Sequence, residues 1–84
     1  MSKINWTRRA LKQLGKINKS DQSRIFEAAQ ALAYMPNVQN IKRLMNHQYG
    51  YRLRIGRYRV MFDWEASVKI VNIEEVKKRD EHTY

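Results

Sequence analysis

The chain has 84 residues, with 43% hydrophobic residues and 17 Lys/Arg against 8 Asp/Glu, a formal net charge of +9. That hydrophobic share argues against disorder, and a single domain over 1–84 is expected, burying only roughly 60–65% of its unfolded surface. The lack of cysteine excludes disulfides and thiolate chemistry, His47 and His82 are too few for a metal site, and no apolar run approaches the ~20 residues of a membrane span. The basic excess points to a polyanionic partner. Met1 to Trp6 has no signal-peptide core, so a cytoplasmic location is expected.

Lys3-Ile4-Asn5-Trp6 alternates and predicts a first or edge strand. Thr7 is a good helix N-cap. Ala10, Leu11, Leu14 and Ile17 then recur at helical spacing, with Arg8, Arg9, Lys12 and Lys16 between them. Asn18-Lys19-Ser20-Asp21 interrupts that pattern, and Ser20 or Asp21 can cap a second helix lined by Ile25, Ala28, Ala29, Leu32 and Ala33. Pro36 pushes Met35 out of helical geometry and ends it. Asn37 to Tyr49 reads as a connecting segment anchored by Ile41, Leu44 and Met45, with Lys42 and Arg43 adding to the basic surface.

From Tyr51 to Phe62 the chain alternates through two strands and a turn at Gly56. Tyr51, Leu53 and Ile55 point one way and Arg52 and Arg54 the other; Tyr58, Val60 and Phe62 likewise oppose Arg57, Arg59 and Met61. No acidic residue lies between Glu27 and Asp63 to neutralise these cations. Val68 to Ile73 is apolar on both faces, as in a central strand, and the tail from Glu74 to Tyr84 is dense in charge. Trp6, Tyr58, Phe62 and Trp64 are expected in the core. The order strand-helix-helix-strand-strand-strand gives an α+β fold: an N-terminal helical hairpin packed on a small twisted, mostly antiparallel four-stranded sheet. The opposite sheet face would be open and carry Arg52, Arg54 and Arg59.

The Tyr51–Phe62 hairpin, preceded by Ile41-Lys42-Arg43-Leu44 and followed by Val76-Lys77-Lys78-Arg79-Asp80-Glu81-His82-Thr83-Tyr84, resembles the RelE/ParE superfamily of bacterial type II toxins. The resemblance spans essentially the whole chain in element order. It implies one of two activities: RelE-like members cut messenger RNA in the ribosomal A site, whereas ParE-like members inhibit DNA gyrase and are not nucleases. Lys77, Lys78, Arg79, His82 and Tyr84 favour the RelE-like branch, although many relatives carry glycine where Val76 or Lys77 stands. The implied activity is then a metal-independent, ribosome-dependent endonuclease in which the RNA's own 2′-hydroxyl attacks the adjacent phosphate. A ParE-like gyrase inhibitor and a non-catalytic basic RNA-binding module are the alternatives.

By the same resemblance Arg54 and Arg59 stabilise the scissile phosphate, and Lys78 or Arg79 adds another cation. His82 and Tyr84 are the candidates for proton transfer, Tyr84 equally for base stacking. Arg52 and Arg54 stand where relatives hold paired lysines. A guanidinium with a pKa above ~12 is a poor base, so both receive electrostatic roles. Lys42, Arg43, Arg57 and Lys77 extend the RNA-binding surface, and Tyr49 is a further stacking candidate. Glu74 and Glu75 either orient nearby cations or are plain surface, and His47 is read as structural. The implied partners are a cognate antitoxin, in a hetero-oligomer, and mRNA on the ribosome with contacts to 16S rRNA. No metal, cofactor or membrane is implied.

Overall fold

A computed structural model describes residues 1–78 of the chain. Its elements are β1 (Lys3–Trp6), α1 (Arg8–Gly15), α2 (Lys19–Gln30), a 3-10 turn (Ala31–Tyr34), β2 (Ile41–Arg43), β3 (Tyr51–Ile55), β4 (Tyr58–Glu65) and β5 (Ile70–Lys78). The sheet runs β1-β5-β4-β3-β2, with β1 parallel to β5 and every other pair antiparallel. The expected α+β class and helical hairpin are present. The sheet has five strands rather than four, because Ile41–Arg43 pairs with β3 instead of merely connecting.

Each helix begins where a side chain satisfies a free backbone donor. Thr7 Oγ1 accepts from the Ala10 N–H at 3.2 Å. Asn18, rather than Ser20 or Asp21, caps α2, its Oδ1 accepting from the Asp21 N–H at 2.9 Å. The 3-10 turn ends at Met35, whose extended ψ of 141° meets the demand of the following proline. At the β3–β4 turn Gly56 has φ 54°, the positive value a two-residue hairpin needs at its first central position.

Ala10, Leu14, Ile25, Ala29 and Leu32 from the helices meet Leu53, Val60, Phe62, Val71, Ile73 and Val76 from the sheet. Phe62 is fully buried and stacks on Tyr51, with ring centroids 5.3 Å apart. Tyr58, Trp64 and Trp6 pack partly buried around that cluster. Among the described residues no helix is long and apolar enough to cross a membrane.

The position of α1 follows from an unfinished strand edge. β1 pairs with β5 only over Ile70–Ile73, leaving the rest of that edge of β5 without a strand partner among the described residues. Unpaired strand edges need a cover, and α1 provides it. The Thr7 N–H donates to Ile73 O at 3.1 Å, Thr7 Oγ1 donates to Glu74 O at 3.4 Å, and Gln13 Oε1 accepts from the Val76 N–H at 2.7 Å.

Candidate nucleic-acid interface

Strand register assembles the cations on the sheet face turned away from the helices. Arg54 on β3 stands opposite Arg59 on β4, and Arg59 opposite Lys77 on β5. With strands about 4.8 Å apart, three cations form one row across the sheet. A second row runs Lys42, Arg52, Met61, Glu75. Arg54, Lys42 and Lys77 are exposed, whereas Arg52 and Arg59 are half-buried. The Nε atoms of Arg52 and Arg59 are buried and find no hydrogen-bond partner among the described residues. Like charges set directly opposite one another weaken a sheet, and a buried donor without an acceptor costs further stability. Both penalties fall on the same few residues.

A β-bulge decides which tail lysine joins the row. Met61 stands opposite Glu75 but Phe62 opposite Ile73, so Glu74 is the extra residue. Uninterrupted alternation from Val71 and Ile73 would have sent Glu75 and Lys77 inward. The bulge instead buries Val76 in the core and turns Glu75 and Lys77 to the cationic face. Lys78 falls opposite Tyr58, on the helix-packed side. Of the pair Lys78 and Arg79 expected at the phosphate, the first lies across the sheet from the row. Arg79, His82 and Tyr84 lie outside the described residues.

The remaining predicted residues scatter. Arg43 pairs with Tyr51, placing it on the helix side of the edge strand, and Arg57 is exposed in the hairpin turn. Tyr49 is only 8% exposed, which closes it off as a stacking platform for a base. Burial pushes its phenol above the ordinary tyrosine value, and the Glu75 charge adds to that rise. Its loop is fixed by the Gly50 N–H donating to Asp63 Oδ1 at 2.7 Å, and by the Tyr49 N–H donating to His47 Nδ1 at 3.1 Å. His47 is thus part of the loop's own architecture.

The tip of the hairpin is tied to α2. Tyr58 donates its phenolic proton to Asp21 Oδ2 at 3.0 Å. The Asn18 side-chain hydrogen bond holds the Asp21 carboxyl below its usual range. The Tyr58 hydroxyl and the Arg24 and Arg57 charges act the same way. In return, that bond pushes the Tyr58 phenol up.

Glu75 is one of the two glutamates, with Glu74, that the sequence left undecided. It is 4% exposed, with Oε1 2.9 Å from Arg9 Nη2 and Oε2 3.6 Å from Lys77 Nζ. The available signal was a carboxylate at an inward-reading position followed at once by Val76, a pattern that a bulge resolves. Among the described residues no group of three or more His, Cys, Asp or Glu side chains gathers as a metal site would require.

A family model described as the ParE toxin of the type II toxin-antitoxin system, parDE, matches residues 4–82. The chain belongs to the ParE toxin family. This toxin also shares its fold with solved RelE structures, as the resemblance to the wider RelE/ParE superfamily implied. The RelE–RelB complex of Pyrococcus horikoshii aligns with a TM-score of 0.80 at 24% identity, over 95% of this chain and 97% of that one. The RelBE2 toxin-antitoxin complex of Mycobacterium tuberculosis gives 0.78 at 20%, over 93% and 98%. The isolated Escherichia coli RelE toxin gives 0.81 at 15%, over 99% and 89%. At such identities the likeness establishes the fold. A search of curated protein sequences gave no match.

Proposed function

We propose that this toxin is a RelE-like, metal-independent endonuclease that cuts mRNA in the ribosomal A site in the cytoplasm and thereby blocks translation. The observation that carries this reading is the Arg54–Arg59–Lys77 row, flanked by Arg52. A protein that sets three like charges side by side on one sheet face weakens its own sheet there, a cost that a bound anion offsets. An RNA phosphate supplies that negative charge.

In the proposed reaction the 2′-oxygen bonds to the adjacent phosphorus and the bond to the 5′-oxygen breaks. The products are a 2′,3′-cyclic phosphate and a 5′-hydroxyl. Negative charge accumulates on the phosphorane, where Arg54, Arg59 and Lys77 neutralise it. Guanidinium groups do not accept the 2′-hydroxyl proton at neutral pH. That transfer, and protonation of the departing 5′-oxygen, are assigned to His82 and Tyr84 together, in either order.

A cognate antitoxin is the proposed restraint, since similar solved structures are toxin-antitoxin complexes. An acidic segment lying on the sheet would mask the same cations that hold RNA. The match to the ParE family supports one second reading, inhibition of DNA gyrase by the same fold.

Primer extension on a translated message, run beside a gyrase supercoiling assay, decides between them. New 5′ ends at codon positions, with supercoiling unaffected, are expected. Intact message together with inhibited supercoiling replaces the nuclease by a gyrase inhibitor.

A further inference from the structure

Among the described residues Glu75 is the one buried charged side chain, and it sits within a field of cations. A buried carboxylate is tolerated only when its charge is answered. Here the answer comes from two directions. Arg9 reaches it from α1, with 2.9 Å between Nη2 and Oε1, and Lys77 reaches it along β5, with 3.6 Å between Nζ and Oε2. Arg9 is itself well placed, because Thr7 and Gln13 fasten α1 to the bulged edge of β5. Glu75 therefore occupies a fixed point on the cationic face. Lys77 does not, on its own account: it carries a flexible four-carbon stem and stands directly opposite Arg59. Repulsion would swing its ammonium away from the row.

We propose that Glu75 is a positioning residue that holds the Lys77 ammonium beside Arg59, so that the row presents fixed cations to an RNA phosphate. This rests on the phosphate-binding reading above, and the bulge at Glu74 serves it by turning Glu75 and Lys77 to the same face.

The test turns on a sign. Removing a carboxylate from a cationic surface should, by net charge alone, tighten RNA binding. If Glu75 positions Lys77, its removal must weaken binding instead. Affinity for a single-stranded RNA oligonucleotide would be measured across a salt series for the wild type, Glu75→Gln, Lys77→Ala and the double variant, with thermal melts alongside. Glu75→Gln is expected to weaken binding about three- to tenfold, and to lower the salt slope by about 0.7, the loss of one single-strand phosphate contact. The double variant should match Lys77→Ala alone.

Tighter or unchanged binding by Glu75→Gln, or single effects that multiply in the double variant, overturns the positioning role. Wild-type protein without salt-dependent RNA binding overturns the phosphate-binding reading along with it. Should Glu75→Gln fail to fold, nitrogen-15 relaxation of the Lys77 ammonium in the unaltered protein decides the point. A restricted ammonium supports the proposal and a freely rotating one overturns it.

Discussion

Two cationic regions of this toxin carry similar charge on different foundations. Along α1 and at its C-cap, Arg8, Lys12 and Lys16 follow one another about a helical turn apart, all exposed and in no ion pair among the described residues. On the sheet, Arg54, Arg59 and Lys77 stand side by side on three hydrogen-bonded strands, over a core that includes Val60, Phe62 and Val76. The helix charges are exposed to water and screened within a Debye length of about 8 Å at physiological salt. The sheet charges are held at strand spacing, and Arg59 is half-buried among them. An exposed stripe can raise the local concentration of a polyanion. Only a fixed array can be complementary to a particular transition state. Net charge made both regions visible; backbone register sets them apart.

Removing the platform should break this distinction most completely. Phe62 is fully buried beneath the row, so Phe62→Ala is expected to cost about 3–5 kcal/mol of stability. That is a large share of what a small domain possesses, and urea unfolding would show it as a lower midpoint. The smallest tolerable platform damage should abolish the row's function while the α1 charges persist. An unchanged midpoint would mean that the row does not depend on this packing.

Arg59→Ala should follow, lowering single-turnover cleavage of ribosome-bound message by roughly 10²- to 10³-fold, the usual effect of deleting a transition-state charge contact. The same site should display the opposite sign in stability. Arg54→Gln relieves a like-charged cross-strand pair and is expected to gain about 0.2–1 kcal/mol in the unfolding curve while losing activity. If Arg54→Gln is less stable, the Arg54–Arg59 pair does not cost the sheet stability.

The hairpin was legible because inward apolar residues alternate with outward arginines from Tyr51 to Val60; Met61, outward yet buried, breaks the pattern. The central position of β5 was equally legible from Val71 and Ile73. β2 was not, since three residues, two of them exposed cations, carry too short a period to read. The bulge hid the assignment of Lys77 and Lys78. One extra residue exchanges the two faces, and the bulged edge is met by Gln13 of α1, 63 residues away along the chain, which no local pattern reveals. The burial of Tyr49 follows from a loop pinned to Asp63, a contact that no local pattern encodes.

A pH titration of stability isolates the anchor beneath the hairpin tip. Because the folded Asp21 carboxyl titrates below its ordinary 3.8, its contribution is present above that value and is lost as pH falls through the lowered folded value. The Tyr58 phenol is raised above 10.0, so its contribution is present below 10.0 and is lost as pH rises through the folded value. Asp21→Asn should flatten the acid limb of melting temperature against pH, and Tyr58→Phe the alkaline limb. Limbs unchanged by either substitution would show that the tip is not anchored through this pair.

The smallest effect is expected on α1. Lys12 is exposed and forms no ion pair among the described residues, so Lys12→Ala removes one screened charge and no packing. Association with RNA should slow about twofold at low salt and match the wild type at high salt, where steering is extinguished. Cleavage of saturated, ribosome-bound message should be unchanged. This near-neutral outcome bears on the comparison as strongly as the loss at Arg59, because it requires equal formal charges to have unequal consequences. A cleavage defect at saturation would place Lys12 among the groups that act on the reacting phosphate. The division between a steering stripe and a fixed row would then have to be redrawn around α1.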